Sequence, residues 1–290
     1  MGTVFLHVGT MKSGTSYVQS TLNKNADALA GFGISWHGMQ ETNLAVQDLT
    51  ASKLSMPGSK GAWDRLAAKV RATDGDTVIS MELLGPCSRR IRHKIAESLG
   101  RPQLHLVVTW RDVTKVALSH WQENAQNRQE IGWEQYAEEI TAPDRPSGRP
   151  HRFWMHHDVA ALLSRWSDVV DPQAMTVITV PSGADQDELW RRFARVIGVP
   201  DERARAMPTS RPKNASLGAI SAELMLRLNA RTRQLGWPQY RLGVKVPLAK
   251  RVLSSRAADE PRFALKPEHH KLLRERALTM VDAVAASPAS

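Results

Sequence analysis

Residues 3–22 read Thr3-Val4-Phe5-Leu6-His7-Val8-Gly9-Thr10-Met11-Lys12-Ser13-Gly14-Thr15-Ser16-Tyr17-Val18-Gln19-Ser20-Thr21-Leu22. Val4, Phe5, Leu6 and Val8 form a short apolar run rich in β-formers, which predicts a buried parallel strand. Gly9 to Ser16 is a glycine-containing turn, and Tyr17 to Leu22 predicts the start of a helix. A strand that feeds a helix through such a turn aims several backbone N–H groups, and the helix's positive end, at one spot. That spot suits a phosphate or a sulfate. Lys12 adds a mobile full charge, while Ser13, Thr15 and Ser16 add hydroxyl donors. The plain alternative is a Gly/Ser turn with a solvent-exposed lysine.

Downstream of this turn, strands and helices alternate. The first helix is expected from Gly14 to about Ala30, ended by Gly31-Phe32-Gly33. Ile34 to Trp36 suits a short strand, and residues 37–61 read as helix fragments and loop that build a substrate wall. An amphipathic helix follows over Ala62 to Ala72. Strands are expected over Thr77–Met81, Leu104–Thr109 and Met175–Val180, with helices over Ile91–Leu99, Val113–Arg128, Glu134–Ile140, Asp158–Val169 and Glu188–Ile197. Pro143, Pro146, Gly148 and Pro150 mark the clearest loop. Two long helices close the chain, Ser216–Leu235 and Pro267–Ala286. The expected fold is α/β, an open and mainly parallel sheet flanked by helices with extra C-terminal helices. With no compositional linker and no internal repeat, residues 1–290 read as one domain.

Composition narrows the class. The 290 residues are 42% hydrophobic, ample for a core. No run is apolar enough to span a bilayer. The first strand begins close to Met1 and Cys87 is the single cysteine, so neither a signal peptide nor an internal disulfide is expected, and the setting read from this is cytoplasmic. The formal charge of +10 sits in residues 201–276, with 17 Lys/Arg against 7 Asp/Glu. That excess suits an anionic cofactor or substrate, or a solvated basic surface. Nucleic acid is not expected, because no zinc-finger spacing or RNA-binding aromatic motif accompanies the charge. Arginine outnumbers lysine 27 to 12, which hints at a GC-rich bacterial genome.

The order of residues in the first turn separates two kinds of phosphate loop. A nucleotide-kinase loop reads G-x-x-x-x-G-K-[ST], with lysine after the second glycine. Here Lys12 precedes Gly14. The stretch instead resembles the 5′-phosphosulfate loop of bacterial-type sulfotransferases that use 3′-phosphoadenosine-5′-phosphosulfate (PAPS), whose usual form is P-K-S-G-T-T-W. Met11 stands in for the proline and Tyr17 for the tryptophan. Arg111 and Ser119, eight residues apart, resemble the 3′-phosphate motif of the same family. The family's R-K-G loop is missing. Specific resemblance covers roughly residues 1–125.

That resemblance implies a P-loop-like fold and a nucleotide-binding transferase. It would use PAPS as donor, release 3′,5′-bisphosphate and act on a small-molecule, glycan or lipid acceptor. Lys12, Ser13, Gly14, Thr15, Ser16 and Tyr17 would bind the donor's 5′ end. Arg111 and Ser119 would take the 3′-phosphate, with Asn214 and Ser216 in a loop that closes over it. Lys12 would also be catalytic. Ser80-Met81-Glu82 at a strand end looks like the glutamate form of the family's base, so Glu82 is the candidate; pairing with Arg89 or Arg90 is its structural alternative. His105 and His120 are reserve bases. His7 and His105 otherwise read as satisfied core histidines, His156-His157-Asp158 as surface or helix-start residues, and Trp36, Trp121 and Trp154 as acceptor contacts. No spacing supports a zinc site. A nucleoside-triphosphate kinase and a non-catalytic anion-binding protein stay open as other classes.

Overall fold

The computed structural model describes residues 2–50, 57–100, 104–143, 148–181, 183, 187–210 and 217–289. Its centre is β1 (Val4–His7), whose four residues are all buried. β1 pairs in parallel with β3 (Asp76–Ser80) on one side and β4 (Leu104–Trp110) on the other, with Leu6 opposite both Ile79 and Leu106. β2 (Ile34–Trp36) and β5 (Met175–Thr179) complete an all-parallel sheet of order β2-β3-β1-β4-β5. Strands buried on both faces read as continuous apolar runs, which is why Val4–Val8 and Leu104–Val108 carry no alternation. The chain leaves β1 towards one half of the sheet and returns to build the other. The carboxyl ends of β3, β1 and β4 therefore flank a topological switch point, where open α/β sheets bind ligands.

Helices cover the sheet. On the face of Phe5, Val78, Val107 and Ile178, α1 (Thr15–Lys24) and the helix Asp187–Val196 bury Val18, Leu22, Leu189, Trp190 and Phe193. The single first helix expected to Ala30 is two: α1 stops at Asn25, and α2 (Ala26–Ala30) follows. The Asn25 amide donates to Thr21 O at 2.8 Å and Pro208 O at 3.0 Å, a local bond that competes with helix continuation. Residues 39–49 form a regular helix, α3 (Met39–Leu49), where fragments were expected. α4 (Ala62–Arg71) and α5 (Arg89–Leu99) lie close to their expected bounds. The proline-rich loop also shrinks, because α8 (Gly148–His157) begins inside it. Pro150 falls in that helix's first turn, where proline is tolerated.

The chain divides into two compact units. Met1–Arg111, Met155–Arg211 and Thr279–Ser290 contain the sheet. Asp112–Trp154 and Pro212–Leu278 form a helical unit with α6 (Val113–Gln126), α7 (Trp133–Thr141), a helix over Ala219–Arg231 and a π-helix over Arg241–Leu253. Its core is aromatic, with Trp121 packed edge-on against Trp133 and Phe263. Trp121 and Trp154 bury their rings and donate indole N–H bonds to Ile131 O and Ile140 O, so they are core residues rather than acceptor contacts. Among the described residues, no helix is long and apolar enough to cross a membrane, and no cluster of His, Cys, Asp and Glu is arranged to hold a metal.

Candidate active site

The turn after β1 is held from both sides. Val8 N donates to Val107 O at 3.0 Å and Thr10 N to Thr109 O at 2.5 Å, so the chain keeps pairing with β4 past the end of the strand. On the other side, a Cβ at Gly9 would lie 2.9 Å from Glu82 Cβ and 3.2 Å from Glu82 Cα. Gly9 has φ +97°, which also favours glycine. This close approach brings the Lys12 loop and Glu82 together. Lys12, at the loop's crest, has φ +61°, an uncommon conformation for a residue with a side chain and one that tends to persist at ligand clamps.

α1 then starts on Gly14, φ +90°, with no side chain capping it. A Cβ there would meet the tip of the Leu189 side chain, which would have to turn aside, and the positive φ itself favours glycine. Gly14 O accepts from Tyr17 N and Val18 N. Among the described residues, the N–H groups of Ser13, Gly14, Thr15 and Ser16 find no partner, so four donors in succession stand unsatisfied at a positive helix end. Such a cradle suits an anionic oxygen group.

The side chains of the loop divide their work differently from the sequence expectation. Ser13 is fully buried and donates to Thr10 O at 2.5 Å, and Thr15 Oγ1 lies 3.4 Å from the same carbonyl. Both hydroxyls point into the protein rather than at a ligand, because the tight turn leaves the Thr10 carbonyl to be satisfied from within. Ser16 is exposed. Tyr17 is half-buried, and its hydroxyl donates to Asp187 Oδ1 at 3.2 Å, an acceptor shared with Thr209.

Glu82 opens a short 3-10 helix, Glu82–Leu84, directly after β3. The segment behind it is pinned at several points. A Cβ at Gly85 would meet Val8 O at 2.8 Å, Trp166 Nε1 donates to Gly85 O at 3.3 Å, and Arg92 donates to Cys87 O at 2.8 Å. Arg92 also grips Asp168 with two bonds, of 3.0 and 2.7 Å, and this grip holds the Asp168 carboxyl below the usual carboxylate range. The arginines considered as structural partners of Glu82 lead elsewhere in one case: Arg89 Nε lies 3.8 Å from Asp168.

Arg111 follows β4 directly and is partly exposed, two residues beyond the Thr109 that bonds the loop. Asp112 is committed to the helix after it, its Oδ1 accepting from Thr114 N at 2.9 Å and Thr114 Oγ1 at 2.8 Å. Ser119 lies in the second turn of α6 and donates to Val116 O at 3.0 Å. Asn214 and Ser216 lie outside the described residues.

The reserve bases sit elsewhere. His105 is opposite Phe5, near the amino end of β4, and bonds Thr176 Oγ1 at 2.9 Å. His120 is buried against Phe153, with Nδ1 2.7 Å from the Tyr136 hydroxyl. His157 is buried too, not at the surface, while Asp158 does start a helix by accepting from Ala161 N. Trp36 is partly buried against the core face of the sheet. Beside the exit of β2, a cavity of about 620 Å³ is lined by residues including His37, Gln40, Glu41 and Arg65.

Sequence reading missed the group of polar side chains beneath the loop. His7 and Ser80 end β1 and β3, Thr109 is the last residue but one of β4, and all three are buried. Burial lowers the His7 pKa from 6.5 to about 3, which keeps the ring neutral. Its ring packs edge-on against Phe193, centroids 5.1 Å apart. The available signal was a small hydroxyl or an imidazole at or next to the carboxyl end of each of these three strands.

No protein-family model matches the sequence, and no curated protein matches it. Among solved structures, a sulfotransferase from Alicyclobacillus acidocaldarius is similar at 18% identity and a TM-score of 0.47, over 70% of this chain and 83% of that one.

Proposed function

We propose that this protein is a PAPS-dependent sulfotransferase that moves a sulfuryl group onto an acceptor hydroxyl or amine. The observation that carries the reading is the Lys12 loop itself: four consecutive unpartnered N–H donors and a lysine before the second glycine, abutting a carboxylate at the next strand end. The donor brings an activated sulfuryl group joined to a good leaving phosphate. Lys12 and the loop N–H groups stabilise the negative charge that grows on the bridging oxygen. Glu82 accepts the acceptor's proton as its oxygen or nitrogen attacks sulfur in line. One bond from sulfur to the acceptor forms, the bond to the bridging oxygen breaks, and the electron pair leaves with the bisphosphate. Arg111, with Ser119, holds the 3′-phosphate, and Asn214 and Ser216 close over it. The acceptor is a glycan, a lipid headgroup or another small molecule.

The kinase alternative asks the hydroxyl after the lysine to bind magnesium. In this protein Ser13 is buried and its proton goes to Thr10 O, which disfavours that role. Calorimetric titration separates the classes. On this reading 3′,5′-bisphosphate binds far more tightly than ATP or 5′-AMP, duplex DNA binds weakly, and labelled PAPS transfers its sulfur in an acceptor screen. Preference for ATP would replace the reading with the kinase.

A further inference from the structure

A continuous run of buried hydrogen bonds crosses the sheet under the Lys12 loop and ends on one of the loop's own carbonyls. His7 Nδ1 lies 2.8 Å from Ser80 Oγ, and His7 Nε2 lies 3.0 Å from Thr109 Oγ1. Thr109 Oγ1 lies 2.8 Å from Ser13 Oγ, which lies 2.5 Å from Thr10 O. His7, Ser13 and Thr109 are each 0% exposed and Ser80 is 1% exposed, so bulk water does not compete for these groups.

The last link fixes the direction of all the others. A carbonyl only accepts, so the Ser13 hydroxyl spends its one proton on Thr10 O. Thr109 must then donate to Ser13, and with its own proton committed it must accept from His7. His7 therefore carries its proton on Nε2, and Nδ1 accepts from the Ser80 hydroxyl. With the other tautomer Thr109 would turn to donate to Nε2, and then either the Ser13–Thr109 bond is lost or Ser13 turns to Thr109 and leaves the Thr10 carbonyl only the 3.4 Å bond from Thr15 Oγ1. The consequence for the loop is geometric. The Thr10–Met11 peptide is trans, so its C=O and N–H point in opposite directions. Holding Thr10 O inward aims Met11 N–H outward, at the start of the run of donors that precedes α1.

We propose that His7 is a positioning residue: its neutral Nε2–H tautomer polarises the chain through Thr109 and Ser13 and thereby holds the anion-binding turn in its ligand-ready shape. The nature of the anion, a 5′-phosphosulfate, rests on the functional reading above; the positioning role does not.

Three variants and two kinds of readout test this. Selective ¹⁵N-histidine NMR, with His7 assigned by its loss in His7→Gln, should show Nε2 protonated and Nδ1 bare between about pH 5 and 8, outside the usual histidine titration. An Nδ1–H form or an imidazolium would overturn the proposal. Thr109→Val keeps the shape and breaks the chain in its middle. It should speed hydrogen exchange over residues 10–16 in the ligand-free protein, leave the remaining sheet protected, and weaken 3′,5′-bisphosphate binding about tenfold, the scale of one or two lost hydrogen bonds. His7→Phe should match it, whereas His7→Gln, whose amide nitrogen can donate as Nε2 does, should retain most of the affinity. Unchanged exchange in Thr109→Val would overturn the positioning role. So would equal affinity of wild type and Thr109→Val. If wild type binds no bisphosphate at all, the donor assignment fails, and the tautomer and exchange measurements still decide the role of His7.

Discussion

Two strand-to-helix junctions of this protein have the same plan and opposite finishes. At β1–α1 the helix starts on Gly14 with no side-chain cap, and the N–H groups of Ser13 to Ser16 are unpartnered among the described residues. At β4–α6 the helix starts on Asp112, whose carboxylate already caps Thr114. A helix end neutralised by its own aspartate has little left for an external anion, while an uncapped end beside a lysine has much. On the proposed reading the two ends of the donor would be held by different means, the main chain and Lys12 on the 5′ side and the Arg111 side chain rather than the helix on the 3′ side.

The largest test concerns the carboxylate that adjoins the first junction. Glu82→Gln keeps size and hydrogen bonding but cannot take a proton, so turnover should fall by roughly two to four powers of ten with donor affinity near wild type. Lost stability with turnover per folded molecule intact would make Glu82 a structural residue, and His120→Ala then becomes the variant to assay. Lys12→Ala comes next. Removing the full charge from the uncapped junction should cost on the order of two powers of ten in rate, leaving the melting temperature in place. Near-normal turnover would erase the contrast between the junctions.

Arg111→Ala sharpens the comparison at the second junction. Loss of a charged hydrogen bond costs about 1.5–3 kcal/mol, roughly ten- to a hundredfold in affinity. The effect should fall on 3′,5′-bisphosphate and not on 5′-AMP, whose affinity ratio in the wild type calorimetry would report it directly. Ser119→Ala should shift the same ratio less.

A smaller difference lies in acid. The first junction rests on His7, whose pKa falls from 6.5 to about 3 on folding. Between those values the unfolded chain holds a proton that the folded one does not, so stability falls as pH drops from about 6.5 toward 3, by at most about 1.4 kcal/mol per pH unit, and is flat above. Urea titrations of wild type and His7→Gln at two pH values should show a shallower slope in the variant. His37 and His105, both also lowered by burial, keep part of the slope. Equal slopes would place the His7 ring in contact with solvent protons. Smallest of all, Asp112→Ala should lose only its cap, about 1 kcal/mol of stability, and leave 5′-AMP affinity unchanged.

The sheet was legible because parallel strands bury both faces and so print themselves as Val4–Val8 and Leu104–Val108. The loop was legible because Lys12 and Gly14 occur in an order that one class of phosphate loop uses and another does not. Glu82 beside Gly9 could be guessed only as a strand end; their contact needs the parallel pairing of β1 with β3. The inward turn of Ser13 and Thr15 was hidden for a different reason. A hydroxyl next to a glycine reads equally well as a ligand donor or as a partner for a backbone carbonyl, and only the path of the chain at Thr10 chooses. Helix ends misled where local bonds or proline outweigh periodicity, at Asn25 and at Pro150. Residues 211–216, which include Asn214 and Ser216, lie outside the described residues.

The most direct measurement is a crystal structure with 3′,5′-bisphosphate bound. The 5′-phosphate should lie within hydrogen-bond distance of the N–H groups at Thr15 and Ser16 and of Lys12 Nζ, and the 3′-phosphate on the Arg111 guanidinium, with Asp112 still capping Thr114. A 5′-phosphate seated away from the Gly14 helix end, or a 3′-phosphate that displaces the Asp112 cap and ignores Arg111, would contradict the proposed reading.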